Sequence, residues 1–282
     1  MIRKVVIPAA GLGTRLLSVT KELPKEMLPI FYRNSNGDIY LKPILQVIFE
    51  QFYKEGFREF CFIVGRGKRA VEDHFTPDFS FLSLLRERGK EKIAKMMEEF
   101  YEMIQDSIIV WINQPEPLGF GHAVYLSKKF VRDEPFIVAA GDTVVLTKNE
   151  SHIKRLINKH QKEGAIATLL LHEVEDPSEY GVAIVKDEKV IKVVEKPKEK
   201  ISNLAILPIY VFEPIIFNSL EATHKGHGGE IQLTDAIQKL ISWELKITYE
   251  ILDRESKCLD IGHPIFYYKS LIESFESSTW LK

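Results

Sequence analysis

Apolar residues along the chain fall into two rhythms. Short β-branched or aromatic runs, bounded by glycine, proline or charge, read as buried strands. They lie at Val5–Ile7, Phe60–Val64, Ile108–Ile112, Pro135–Ala140, Ala165–His172, Asn203–Phe212 and Ile247–Leu252. Between them apolar positions recur every three or four residues. Ile44, Val47, Ile48 and Phe52 predict a helix with Pro43 near its first turn, and Val71 and Phe75 a second. Leu84-Leu85, Ile93, Met96-Met97, Phe100 and Met103-Ile104 predict a long helical stretch over 81–106 that Gly89 divides. Its methionines read as core packing. Residues 151–163 and 265–275 predict further helices. Val182–Lys186 and Val190–Val194 read as a hairpin across Asp187-Glu188, and Asn36-Gly37 marks a tight turn. Strands alternating with helices predict an α/β fold with a parallel sheet.

Composition narrows the class. A chain of 282 residues, 45% hydrophobic and 28% charged, can bury a sizeable core as a soluble globular protein. Its net charge of −2 gives no field that draws nucleic acid or an anionic membrane. No apolar run approaches the roughly 18–20 residues needed to span a bilayer. Arg3-Lys4 leads straight into a strand rather than a signal-peptide pattern. Cys61 and Cys258 are far apart and form no metal spacing, so a cytoplasmic protein with reduced thiols is expected.

The chemistry starts behind the first strand. Ala9-Ala10-Gly11-Leu12-Gly13-Thr14-Arg15 is a small-residue turn with a cation. Its glycines let backbone approach a ligand closely, and its N–H groups suit an anion. A P-loop would need Gly-Lys-Ser/Thr where Thr14-Arg15 stands, and a dinucleotide fingerprint would need a small residue at Leu16. The following Lys21–Ile30, with Lys25 and Glu26, is too charged for a core segment and suits a site wall. Asp142 follows the strand at 135–140, where a crevice opens beyond strand carboxyl ends. Mg²⁺ takes one or two such carboxylates and completes its shell with phosphates. Gln114 offers one acceptor and two donors, enough to read a pyrimidine edge.

A-A-G-L-G-T-R followed by T-K-x-x-P-K-E-M-L-P-I resembles the signature of the UTP–glucose-1-phosphate uridylyltransferase family, within the sugar-phosphate nucleotidylyltransferases. Relatives that make dTDP-glucose usually carry P-K-P-L-L-P where Pro24–Pro29 stands. Further matches come in family order: Gln114 to Ala123 (with Phe120 in place of a leucine), Tyr180-Gly181, Glu195-Lys196-Pro197, Glu230–Ala236 and Asp260-Ile261-Gly262. The resemblance implies a Rossmann-like, mixed and mainly parallel sheet flanked by helices, in a single domain over 1–282. Residues 1–142 would mainly bind nucleotide, and 143–282 would mainly bind sugar and serve oligomerisation. It implies Mg²⁺-dependent transfer from UTP to α-D-glucose 1-phosphate, giving UDP-glucose and pyrophosphate. Arg15, Lys25 and Lys196 would be catalytic. Ala9, Ala10, Gly11, Gly13, Thr14 and Glu26 would bind substrate, Gln114 and Gly119 the uracil, and Gly181 and Glu195 the sugar. Asp142 and Asp260 would hold Mg²⁺. A homodimer or homotetramer is usual for such relatives, with no nucleic-acid or membrane partner.

Two departures stand out: Thr143 replaces a second aspartate of the family, and Leu207-Pro208 replaces a more frequent glycine. Besides a generic Rossmann-like nucleotide-binding protein of another class, which the absent third glycine disfavours, two alternatives stay open. One is the same transfer from dTTP, since a single methyl group is rejected weakly. The other is a non-catalytic regulatory subunit that binds nucleotide-sugar, which would tend to have lost Arg15, Lys25 or the aspartates. Other polar residues are expected to be structural. Gln46, Arg66 and Lys68 read as solvated, and His122 as a helix-terminal residue. Glu230 and Asp235 read as bracing groups on a helix that sets Ile231, Thr234 and Asp235 on one side. His224 and His227 lie in a glycine loop without a third metal ligand, and Tyr267 and Tyr268 read as packing.

Overall fold

β1 (Lys4–Ala9) is buried along its whole length. Val5 and Ile7 enter one hydrophobic core, and Val6 enters a second on the opposite face. A strand covered on both faces reads as a continuous apolar run rather than an alternating one. The computed structural model describes residues 2–34 and 37–280. After β1 come the hairpin β2 (Pro29–Arg33) and β3 (Ile39–Pro43), α1 (Ile44–Lys54), β4 (Glu59–Val64), α2 (Arg69–His74), α3 (Phe79–Glu87), α4 (Glu91–Gln105) and β5 (Ile108–Asn113). α5 (Phe120–Leu126), α6 (Lys128–Val131), β6 (Phe136–Ala139), β7 (Thr143–Leu146), α7 (His152–Glu163) and β8 (Ala167–Glu173) follow. The remainder is β9 (Gly181–Lys186), β10 (Lys189–Glu195), β11 (Leu204–Phe212), α8 (Ile216–Glu221), α9 (Leu233–Ser242), β12 (Ile247–Ile251), β13 (Lys257–Asp260) and α10 (Pro264–Glu276).

Strand order turns around at β1. β4 and β5 lie on one side of it and β6 on the other, all parallel. An α/β sheet opens a ligand crevice beyond its strand ends at such a switch point. β11 joins β6 antiparallel and pairs along its other edge with β8, which carries β12 in parallel. The β9–β10 hairpin attaches to β11 at Ala205 and Val182. The sheet is mixed, mainly parallel and flanked by helices, as the alternation of elements implied. Gly89, at φ 69°, separates α3 from α4, and Asp187 and Glu188, at φ 49° and 63°, form the β9–β10 turn. The turn expected at Asn36-Gly37 falls partly on residue 36, outside the described residues. The strands beside it pair from Pro29 with Pro43 to Arg33 with Ile39.

β7, α6, α8 and β13 have no counterpart in the sequence rhythm. β7 matters most, because it pairs antiparallel with β13 and sets Asp260 opposite Thr143. Among the described residues, no helix is long and apolar enough to cross a membrane.

Two polar residues expected to be solvated are buried instead. Gln46 Nε2 donates to Glu50 Oε1 at 2.7 Å, and Lys42 Nζ donates to both Glu50 oxygens at 2.7 and 2.8 Å. His74 Nε2 donates to Gln46 Oε1 at 3.0 Å, and burial pulls the His74 imidazole down to about 4, so it is neutral. Lys68 Nζ meets Glu26 Oε2 at 2.6 Å. The physical reason is placement: α1 and α2 pack behind the short 3-10 turn Lys25–Met27. Polar groups enclosed there must find partners or pay a desolvation penalty.

Candidate active site

A cleft of about 540 Å³ lies over the carboxyl ends of β1 and β6, within the size range of small-molecule sites. Ala10, Gly11, Gly13, Thr14 and Arg15 form one wall. Gly13 sits at φ 65°, in the left-handed region that favours glycine. Its carbonyl accepts from Thr20 Oγ1 at 2.7 Å, and a Cβ on it would stand 3.0 Å from that of Thr20. Among the described residues, the N–H groups of Gly11, Leu12 and Gly13 meet no protein acceptor, which leaves them for an anion. Ala9 is the one member of this loop that does not reach the cleft surface; as the last residue of β1 it is 1% exposed.

Asp142 and Asp260 meet on the floor. Gly141 N donates to the Pro8 carbonyl at 3.0 Å, which ties Asp142 to the end of β1. The β7–β13 ladder then brings Asp260 alongside, and Asp260 Oδ1 accepts from Gly262 N at 2.6 Å. Lys25 Nζ donates to Asp142 Oδ2. Burial raises the Asp142 carboxyl, but the Lys25 ammonium and the Thr143 hydroxyl overcome it and hold the group below its ordinary value. Asp260 is pushed up, by burial first and then by the neighbouring Asp142 charge. Burial lowers Lys25, but Asp142, Glu26 and Asp260 more than offset it and raise its pKa. Two hard oxygen donors brought together against their own repulsion could hold a divalent cation. Among the described residues no group of three or more His, Cys, Asp or Glu side chains could do so alone. Glu26 also borders the cleft, 1% exposed, but its Oε2 is engaged by Lys68.

At one end of the cleft, Gln114 follows β5. Its Nε2 donates to the Gly119 carbonyl at 3.2 Å and lies 2.9 Å from His122 Nδ1. A carbonyl can only accept, so the NH₂ end must face Gly119. Burial holds His122 below the usual histidine value, consistent with a neutral ring whose Nδ1 accepts. Both amide donors are thus used inside the protein, and the Gln114 carbonyl remains as an acceptor for a ligand. Gly119 stands at φ 105°, and a Cβ there would lie 2.7 Å from the Glu230 Cβ and 2.8 Å from the Ile231 carbonyl oxygen, so only glycine fits. His122, expected merely as a helix-terminal residue, also fixes the amide.

At the other end stand Gly181, Glu195, Leu207, Pro208, Tyr210 and Thr234. Lys196 stands outside the cleft lining, at φ 40°, with Nζ 3.6 Å from Glu179 Oε2. The same oxygen lies 3.4 Å from Arg15 Nη2. Cations from distant segments therefore share one carboxylate near the cleft. Glu179, Glu230, Gln232 and Thr234 all border the cleft, and sequence reasoning gave none of them a site role. The available signal was position: Glu179 directly precedes Tyr180-Gly181, and the other three share the run Glu230–Ala236. That run is also not one helix. α9 begins at Leu233, and Ile231 lies in the extended lead-in, held by its backbone to Leu118 and Gly121.

The nucleotidyl transferase family profile matches residues 4–276. The UTP–glucose-1-phosphate uridylyltransferase of Bacillus subtilis is 37% identical over 280 residues, covering 96% of this chain and 90% of the relative. UTP–glucose-1-phosphate uridylyltransferase 2 of Staphylococcus saprophyticus is 37% identical over 281 residues, covering 96% and 91%. Among solved structures, a UDP-glucose pyrophosphorylase complexed with UDP-glucose aligns with a TM-score of 0.82 at 28% identity, over 98% of this chain and 99% of that one. A UTP-bound UGPase from Acinetobacter baumannii aligns with a TM-score of 0.80 at 26% identity, over 97% and 93%. Sequence and fold agree over nearly the full length, and the chain belongs to the nucleotidyl transferase family.

Proposed function

We propose that the cleft transfers a uridylyl group from UTP to α-D-glucose 1-phosphate, giving UDP-glucose and pyrophosphate. One observation carries the reading: Arg15, Lys25, Asp142 and Asp260 converge at one cleft whose far end presents an acceptor-only amide. The sugar phosphate oxygen attacks the α-phosphorus of UTP, a new P–O bond forms, and the bond to the bridging oxygen breaks as pyrophosphate leaves. Two polyanions must meet, so orientation and charge neutralisation supply most of the rate. Arg15 and the glycine-loop N–H groups suit the leaving phosphates. Lys25 suits the α-phosphate, and Lys196 the incoming sugar phosphate. The Gln114 carbonyl suits the N3–H of uracil or thymine and repels the bare N3 of cytosine. Glu195 suits the sugar hydroxyls. Mg²⁺ would be held by Asp142 and Asp260, where it would offset phosphate charge.

Pyrophosphate release, measured across UTP, dTTP and CTP with several sugar 1-phosphates, tests the reading. UTP with glucose 1-phosphate is expected to be fastest, dTTP next and CTP poorest. Asp142→Asn should abolish turnover. Release with no pair, or near wild-type turnover in Asp142→Asn, would overturn it.

A further inference from the structure

The run from Glu230 to Thr234 spans the cleft between its two ends. At the base end, Ile231 N donates to the Leu118 carbonyl at 2.8 Å, and the Ile231 carbonyl accepts from Gly121 N at 2.9 Å. These bonds fasten the run to the loop that carries Gly119. At the sugar end α9 begins, and Thr234 in its first turn donates Oγ1–H to Glu195 Oε2 at 2.6 Å. One turn on, Gln238 Oε1 accepts from Val193 N at 2.8 Å. Positions 234 and 238 share one helix face, so α9 is held along β10 at two points. Thr234 is 6% exposed, and a Cβ on Gly181 would stand 3.0 Å from its Oγ1 and 3.1 Å from Glu195 Oε2. The hydroxyl–carboxylate pair is therefore enclosed from three elements, with Glu195 Oε1 as the oxygen left for a ligand.

We propose that Thr234 is a positioning residue for sugar recognition. Its hydroxyl fixes the Glu195 carboxylate in the one orientation that accepts from the sugar hydroxyls, and the 230–234 run keeps that carboxylate in register with the base-reading loop. The proposal rests on the reading of Glu195 as the sugar-hydroxyl acceptor. A glutamate at a strand end has several rotamers. Anchoring one oxygen removes that freedom before the sugar arrives, which is preorganisation rather than a new contact. A purely structural threonine would brace α9 and affect both substrates alike.

The test is steady-state kinetics on Thr234→Val, Thr234→Ser, Thr234→Ala and Glu195→Gln, with calorimetric binding of UDP and UDP-glucose. Valine keeps the volume and loses the donor, alanine loses the donor without adding a methyl, and serine keeps the donor. Thr234→Val and Thr234→Ala should raise the glucose 1-phosphate KM about tenfold, the effect of one hydrogen bond to a charged group. The UTP KM should move less than twofold, and Thr234→Ser should restore the glucose 1-phosphate KM. UDP-glucose should bind more weakly and UDP unchanged. Equal effects on both substrates, or an unchanged glucose 1-phosphate KM, would overturn the positioning role. If Glu195→Gln raises that KM while the donor-less Thr234 variants do not, the positioning fails and the reading of Glu195 stands. If Glu195→Gln leaves it unchanged, the reading of Glu195 falls and takes the proposal with it.

Discussion

Lys25 and Glu26 are adjacent in the chain, and each forms a lysine–carboxylate pair. Lys25 pairs with Asp142 at the cleft floor, where the two side chains are 18% and 21% exposed. Glu26, at the edge of the same cleft, pairs inward with Lys68, where they are 1% and 8% exposed. The chemistry is the same and the settings differ. Asp142 stands beside a second carboxylate, Asp260, so one lysine incompletely balances the cluster, and the open side faces ligand. Such a pair can exchange partners when phosphates or a cation arrive. Glu26 touches the same cleft, but only 1% of its side chain is exposed and Lys68 occupies its Oε2, so it trades that partner far less readily. Lys42 and Glu50, 8% and 5% exposed, are a second enclosed pair on the same α1 side. The contrast shows how one tight turn, Lys25–Met27, sends a reactive residue to one side and a supporting residue to the other.

The largest test of the contrast is on the enclosed pair. Lys68→Met leaves Glu26 buried without its cation and should lower the unfolding free energy by about 3–5 kcal/mol, read from urea denaturation. Adding Glu26→Met removes both charges and should recover most of that loss. If Lys68→Met is as stable as the wild type, the pair is solvated and the contrast fails. On the open pair, Lys25→Met should slow turnover about a hundredfold, near 3 kcal/mol of transition-state stabilisation. Its unfolding free energy should change less than half as much as in Lys68→Met, because water in the cleft can solvate Asp142. Intact turnover with a stability loss equal to that of Lys68→Met would reverse the two roles.

The fold was legible wherever periodicity was strong. β1, β4, β5, β8, β11 and β12 stand close to where their apolar runs predicted, and Gly89 divides α3 from α4 as its position implied. β7 was not legible, because Thr143-Val144-Val145-Leu146 continues the apolar run of β6 past Gly141-Asp142. Only its pairing with β13 shows that it is a separate strand, and that pairing is also what joins Asp142 to Asp260. The glycine-loop cations and both aspartates were legible as residue types in family order. Glu179 and Thr234 were not, because their roles come from partners far off in sequence: Arg15 and Lys196 for one, Glu195 for the other. Gln46 and Lys68 misled for the same reason. A polar residue on a helix, or in the turn that leads into one, reads as solvated until the element packed over it is known.

The smallest expected effect separates the two pairs by pH. Burial pushes the Glu26 carboxyl up, and Lys68 and Lys25 oppose it without cancelling it. A carboxyl with a raised folded pKa binds its proton more tightly in the native state than in the unfolded chain. Its contribution to stability is full below the unfolded value of 4.5 and is lost as pH rises through the folded value. Lys25 is raised from 10.5, so its contribution is also full below that value, and is lost only in strongly alkaline solution. Between pH 4.5 and 8, therefore, Glu26 tilts the stability profile downward while Lys25's own ionisation adds no slope. Urea unfolding of the wild type and of Lys68→Met/Glu26→Met across that range reads the tilt directly. Wild type minus double variant should decline from pH 4.5 upward, by no more than about 1.4 kcal/mol per pH unit for one proton, and then level off. A flat difference would mean that Glu26 ionises as an ordinary carboxylate, and the enclosed pair would then differ from the open one in access alone.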